Sequence, residues 1–167
     1  EQTATSSKGE ERWCDRAGVM HGPYIRLYPN GERAVKGEYD NSVPNSDWVW
    51  WHENGKEMSK GKYIKGKQTG PWTWWHDNGV RAEEGDFLGG RKAGQWVKYF
   101  ESGRKQDEGL FHNDMKNGTW TYYVDDDEGT VERTERWEGG KMVEETILVG
   151  ENKDKGVKPQ PKERKDR

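Results

Sequence analysis

Gly31, Gly55, Gly79 and Gly103 stand 24 residues apart, and Tyr24, Trp48, Trp72, Trp96 and Trp120 keep the same interval. One short unit is therefore written about five times. A unit of this length cannot bury its own apolar surface and has to stack on its neighbours. The stable object is then an array of at least about three copies with atypical ends.

Within a copy the pattern is strand, turn, strand. Trp48 to His52 and Trp72 to His76 are runs of large β-forming side chains, too short for a helix, that stop at Asn-Gly. Asn-Gly favours a type I′ turn, in which both central residues need positive φ. Asn30-Gly31, Asn54-Gly55 and Asn78-Gly79 thus read as tight two-residue hairpins, with Ser102-Gly103 filling the slot less ideally. Counting outward from Glu53 opposite Lys56 sets Trp50 against Ser59 and Trp48 against Gly61. The same count pairs Tyr24 with Gly37, Trp72 with Gly85, and Trp96 with Gly109. A strand glycine weakens a sheet unless something covers it, and an aromatic ring over the bare backbone does so. Each Trp on Gly pair is expected to rivet its own hairpin.

Gly66-Lys67, Gly90-Arg91 and Gly140-Lys141 supply the second reversal, which turns each hairpin into the next. The fold class that follows is all-β, an elongated single-layer antiparallel meander of repeated hairpins, roughly ten strands long, with disordered termini. A sheet with no opposing layer accounts for a composition of only 29% apolar residues that nevertheless holds ten tryptophans. A few large rings replace a compact core.

These residues resemble the MORN repeat, in the variant found in bacterial antitoxin-like proteins, whose pattern runs roughly G-x-W-x-x-Y-x-x-N-G-x-x-x-x-x-G-x-Y-x-x-G-K. The likeness spans about residues 20 to 143. Gly22, Tyr24, Tyr28, Asn30, Gly31, Gly37 and Tyr39 carry it in the first copy, and Trp48, Trp51, Asn54, Gly55, Gly61, Tyr63, Gly66 and Lys67 in the second. Trp72, Trp75, Asn78, Gly79, Gly85, Phe87, Gly90 and Arg91 continue it, followed by Trp96, Tyr99, Gly103, Gly109 and Phe111. The resemblance implies a repeat module and no particular chemistry.

The last copy departs from the pattern. Trp120 and Tyr123 are in place, but the run from Asp125 to Gly129 inserts two residues, and Glu135 falls where the rivet glycine is expected. An end cap with a solvated acidic tip fits this better than a calcium loop, whose twelve-residue ligand pattern is absent.

The organisation expected is a polar leader over 1–19, the array over 20–150 and a basic tail over 151–167. Residues 1–12 have no apolar anchor and, like the tail, are expected to be disordered. The net charge of −3 divides into +3 on the tail and −6 elsewhere, which argues against nucleic acid as a partner of the folded part. No segment approaches the length of a membrane-spanning helix, and direct membrane binding is expected only through a lost anchor or the basic tail. The chain opens at Glu1 without Met, and with its Ser/Thr-containing leader this reads as an exported or cell-envelope protein of a bacterium, with the cytoplasm as the alternative. Cys14 is the lone cysteine, so no internal disulfide is expected.

No catalytic or metal constellation stands out. His52 and His76 hold the slot occupied by Tyr28, Phe100 and Val124, which makes them packed rings on a sheet face. His21 and His112 have no Cys or His at ligand spacing, and Ser42, Ser46, Ser59 and Ser102 lack a nucleophile elbow. The chain is read as a non-enzyme without cofactor or metal.

Binding is the remaining class. Arg26, Trp50, Trp74, Lys98 and Tyr122 lie two positions after the rivet, on the same face by strand alternation. With His52 and His76 they form the candidate face, in residue types enriched at protein interfaces. Trp50 and Trp74 could alternatively stack on each other to stiffen the sheet. Trp51, Trp75, Tyr99 and Tyr123, opposite Met58, Ala82, Gln106 and an acidic strand, are read as the packing spine of the other face. A scaffold binding another protein or a second copy of itself is the first reading. A cell-wall or glycan binder is the second, since Trp-aromatic pairs before a glycine turn also resemble choline- and glucan-binding modules. Toxin neutralisation is implied by the family resemblance alone, and lipid headgroup binding lacks a basic face in the array.

Overall fold

A computed structural model of the protein describes residues 2–6 and 9–149. They form β1 (Gln2–Ser6), β2 (Gly9–Arg16), β3 (Val19–Leu27), β4 (Arg33–Asp40), β5 (Val43–Trp51), β6 (Glu57–Ile64), β7 (Lys67–Trp75), β8 (Arg81–Leu88), β9 (Arg91–Tyr99), β10 (Lys105–His112), β11 (Met115–Tyr123), β12 (Val131–Glu138) and β13 (Lys141–Ile147). All thirteen lie in one antiparallel sheet in chain order, with β1 and β13 at its edges, so the sheet is an open meander.

The sheet begins earlier than expected. Gln2–Ser6, within the stretch 1–12 expected to be disordered, and Gly9–Arg16, within the polar leader expected over 1–19, pair as β1 and β2, and β2 pairs with β3. The period explains β2, because Trp13 lies 24 residues before Gly37 and faces Tyr24, as Gly37 does from the other side. The tail over 151–167 lies outside the described residues.

The Asn-Gly ends of the hairpins do not form the two-residue type I′ turns expected of them. At Asn30-Gly31, Asn54-Gly55 and Asn78-Gly79 only the glycine has positive φ, at 81° to 87°. Gly55 N–H donates to the His52 carbonyl and His52 N–H to the Lys56 carbonyl, both at 2.9 Å. This is a three-residue loop closed by a left-handed glycine, the G1 bulge arrangement rather than a two-residue type I′ turn. The type I′ turns sit at the opposite ends, where both central residues have positive φ: Lys65 and Gly66 at 50° and 76°, Asn113 and Asp114 at 51° and 67°.

The expected pairing of Trp48 with Gly61 and Trp50 with Ser59 is nevertheless present. The longer loop is cancelled by one bulged residue, Met58, so that Trp51 faces Glu57. Likewise Trp75 faces Arg81, Tyr99 faces Lys105 and Tyr123 faces Val131, which corrects the partners assigned to the opposite-face rings. Trp51 and Trp75 are covered instead by Arg33 and Lys60, and the hydroxyls of Tyr99 and Tyr123 donate to Glu84 and Glu108.

The core is a strip on one face. Trp48, Trp72, Trp96 and Trp120 are 2–4% exposed although none of the described residues forms a second layer over the sheet. Burial comes from the rings lying flat on glycine backbone. The cover is not the one expected, however: Gly61 faces Trp48 of its own hairpin in register, but the ring against it belongs to Trp72 of the next hairpin. Gly37, Gly85 and Gly109 are covered in the same way by Trp48, Trp96 and Trp120. The rivets therefore join hairpins to one another. Each ring removes about 150–250 Å² from water, on the order of 4–6 kcal/mol as an upper bound.

Candidate binding face

The aromatic face is built by β3, β5, β7, β9 and β11, each of which places two rows on it. The inner row is Tyr24, Trp48, Trp72, Trp96 and Trp120, the four tryptophans lying against glycines of the preceding strands and Tyr24 facing Trp13 there. The outer row is Arg26, Trp50, Trp74, Lys98 and Tyr122, whose register partners are Val35, Ser59, Glu83, Asp107 and Arg133. The structure thus brings together the five row residues that the sequence groups.

Trp50 and Trp74 do not stack on each other. Trp50 sits 5.7 Å from both Trp48 and Trp72, and Trp74 sits 5.6 Å from Trp72 and 5.7 Å from Trp96. Trp48, Trp50, Trp72, Trp74 and Trp96 form one uninterrupted pile, inner and outer rings alternating. Tyr39, Tyr63, Phe87 and Phe111 abut it edge-on, for instance Tyr63 at 5.2 Å from Trp72 and Phe111 at 5.9 Å from Trp96. Edge-to-face contacts let the positive ring edge meet the negative ring face, worth about 0.5–1.5 kcal/mol each beyond burial.

His52 and His76 bond to the neighbouring hairpin. Their Nε2 atoms lie 2.9 Å from the carbonyl oxygens of Trp75 and Tyr99, so each imidazole donates to the next hairpin's backbone. The Tyr28 hydroxyl does the same to the Trp51 carbonyl at 2.6 Å, which explains the shared slot. At the tips, Asn30, Asn54 and Asn78 donate to the carbonyls of Glu53, Asp77 and Glu101. Their Oδ1 atoms accept from the backbone two residues on. The Asn of Asn-Gly is thus a tie between tips as well as a turn former.

Two cations that the sequence reading missed divide the face. Lys92 Nζ lies 3.8 Å above the Trp96 ring and 2.7 Å from Glu83. Lys116 Nζ lies 4.2 Å above Trp120 and 2.6 Å from the Tyr122 hydroxyl. Burial holds the Lys116 ammonium below its ordinary pKa, against the pull of Glu135 and Asp107. Their 24-residue separation is the signal that could have found them. In the earlier copies the equivalent slots are Gln68 and Pro44, and beside Pro44 a 280 Å³ cavity opens over Trp48 and Trp50, with Arg26 in its wall.

The C-terminal end is closed by polar chemistry. Glu135, 8% exposed, occupies the slot of a rivet glycine and accepts from Tyr122, Trp137 and Arg133 at 2.6, 2.9 and 3.3 Å. Burial pushes its carboxyl up, but the three donors and Lys116 outweigh this and leave it below its ordinary value. Burial raises Asp107 against Lys98 and Lys116. The acidic tip is tied to Arg104, which pairs with Asp125 at 3.0 Å and with Asp127. Among the described residues no three or more His, Cys, Asp or Glu side chains gather where they could hold a metal ion.

Fold and face define an all-β repeat array whose copies share rings across their boundaries. Residues 20–41 and 68–88 match the family model of the MORN repeat variant. No curated protein matches the chain.

Proposed function

We propose that this protein is a non-catalytic scaffold that binds a partner protein through its aromatic sheet face. The observation that carries the reading is the half-buried state of Trp50 and Trp74, large rings that top a sheet with no second layer among the described residues. Exposed aromatic surface beside charged residues is the composition of interface centres. Repeat arrays serve this role because neighbouring copies build one extended surface.

Glycan binding is the weaker alternative. A sugar stacks on a free ring face, whereas both neighbours of Trp50 along the pile are tryptophans. Toxin neutralisation is one form of the protein-binding reading, distinguished by the identity of the partner.

The test is affinity capture with the full chain and with the Trp50→Ala/Trp74→Ala variant, the bound proteins identified by mass and the fold checked by circular dichroism. A protein lost with the two rings while the sheet persists supports the scaffold. Capture that is indifferent to both rings overturns it.

A further inference from the structure

The array serves as its own control for what its aromatic face requires. In the later copies the rings are roofed by Lys92 and Lys116, and each ammonium is met by an acceptor, Glu83 for one and the Tyr122 hydroxyl for the other. Arg133, on the same face, contacts Glu135 at 3.3 Å. In the N-terminal copy both halves of that arrangement are missing. Pro44 stands where the lysines stand, leaving the rings open, and Arg26 faces the gap with no carboxylate within ion-pair distance among the described residues.

The Arg26 guanidinium bears a buried Nε without a hydrogen-bond partner. A buried N–H of a charged group left unmatched is costly, and such groups are normally satisfied. Glu11, its register partner on β2, lies instead beside Tyr24, whose hydroxyl is pushed up to about 12, first by burial and then by the charge of Glu11. Among the described residues the cavity lining holds a cation and apolar rings but no carboxylate, and Glu11, engaged by Tyr24 at its edge, forms no ion pair with Arg26. We infer that it is a recognition site for an acidic side chain, Asp or Glu, presented with an adjacent apolar residue on an extended segment of a partner protein.

The chemistry and the dimensions agree. A guanidinium fork matches a carboxylate in two parallel hydrogen bonds. The 280 Å³ volume is at the lower bound of ligand pockets, about 300 Å³, and suits side chains rather than a large ligand. Tyr39 and Tyr63 stand nearly perpendicular to Trp48, while Trp50 stacks on Trp48. An aliphatic or aromatic side chain can insert among such ring edges, whereas a sugar requires an open ring face. Charge complementarity and ring orientation therefore favour a peptide over an acidic glycan. This site rests on the protein-binding reading and names the chemistry its partner presents.

The test uses the full chain, followed by tryptophan fluorescence and indole N–H NMR signals during titration with acetyl-Phe-Glu-Phe-amide, its Gln counterpart and digalacturonate. The Glu peptide is expected to shift the Trp48 and Trp50 signals and to bind at least tenfold more tightly than the Gln peptide. Arg26→Gln should erase that difference. Pro44→Glu, which sets a carboxylate in the open slot beside Arg26, should weaken the Glu peptide without unfolding the sheet, and it carries the test if Arg26→Gln does not fold. Equal affinity for the two peptides, a preference that survives either folded variant, or a response to digalacturonate alone overturns the proposal. A partner captured through Trp50 and Trp74 but indifferent to Arg26→Gln would leave the scaffold standing and remove this site.

Discussion

The indole of Trp72 lies so close over the backbone of Gly61 that a Cβ built on the glycine would fall 2.2 Å from the ring. The two residues belong to consecutive hairpins, so this contact is a joint between copies. Gly61→Ala is expected to displace the ring and destabilise the protein by about 2–3 kcal/mol. Trp72→Ala alone should cost about 3–5 kcal/mol. Urea denaturation of the two variants and their combination checks the assignment. The double variant should cost clearly less than the sum, while pairing Gly61→Ala with Trp48→Ala should show no such relief.

Ser46 has a positive φ of 68° at a position where Gly22, Gly70, Gly94 and Gly118 stand in the other copies. A left-handed residue with a Cβ costs about 1–2 kcal/mol, partly offset by the greater unfolded-state entropy of glycine. Ser46→Gly should stabilise the protein by about 1 kcal/mol, visible as a higher denaturation midpoint. A loss of stability would mean that the Ser46 conformation carries no strain.

Asn54→Gly separates the two turn types. A type I′ turn accepts glycine at both central positions, so the change would be nearly neutral there. In the loop present, Asn54 has negative φ and bonds both to Lys56 N–H at 3.0 Å and to the Asp77 carbonyl at 2.7 Å. The substitution should therefore cost about 1–2 kcal/mol in thermal or urea unfolding.

Glu135 links the C-terminal cap to pH. Its pKa is depressed in the fold below the ordinary 4.5, so the unfolded chain takes up the proton first as the pH falls. Its contribution is complete above about pH 4.5 and is lost as the pH drops through the lower folded value. Glu135→Gln should lower stability at neutral pH by about 1.5–3 kcal/mol and flatten the fall in stability below pH 4.5. Unfolding midpoints measured from pH 3 to 6 decide this. Equal slopes for both proteins would locate the acid sensitivity elsewhere.

The repeat period alone determined that this chain is a β-hairpin array, because a 24-residue unit with one turn signal and one obligatory glycine leaves few other ways to hide a tryptophan. It also determined the face shared by Arg26, Trp50, Trp74, Lys98 and Tyr122, since side chains alternate strictly along a strand. Which ring covers which glycine was decided only in the tertiary structure. A strand glycine has a neighbour on each side, and sequence distance favours the one in its own hairpin, whereas the ring in fact leans across from the next. The turn types were illegible for a related reason. A loop one residue longer, compensated by a bulge at Met58, leaves every register pair farther from the turn unchanged. The repeat slot read His52 and His76 as packed rings, and only the structure shows that each donates to a carbonyl of the next hairpin, Trp75 and Tyr99. The open cavity at Arg26 depends on what Pro44 fails to reach and Lys92 does reach, a relation between strands that no single copy contains.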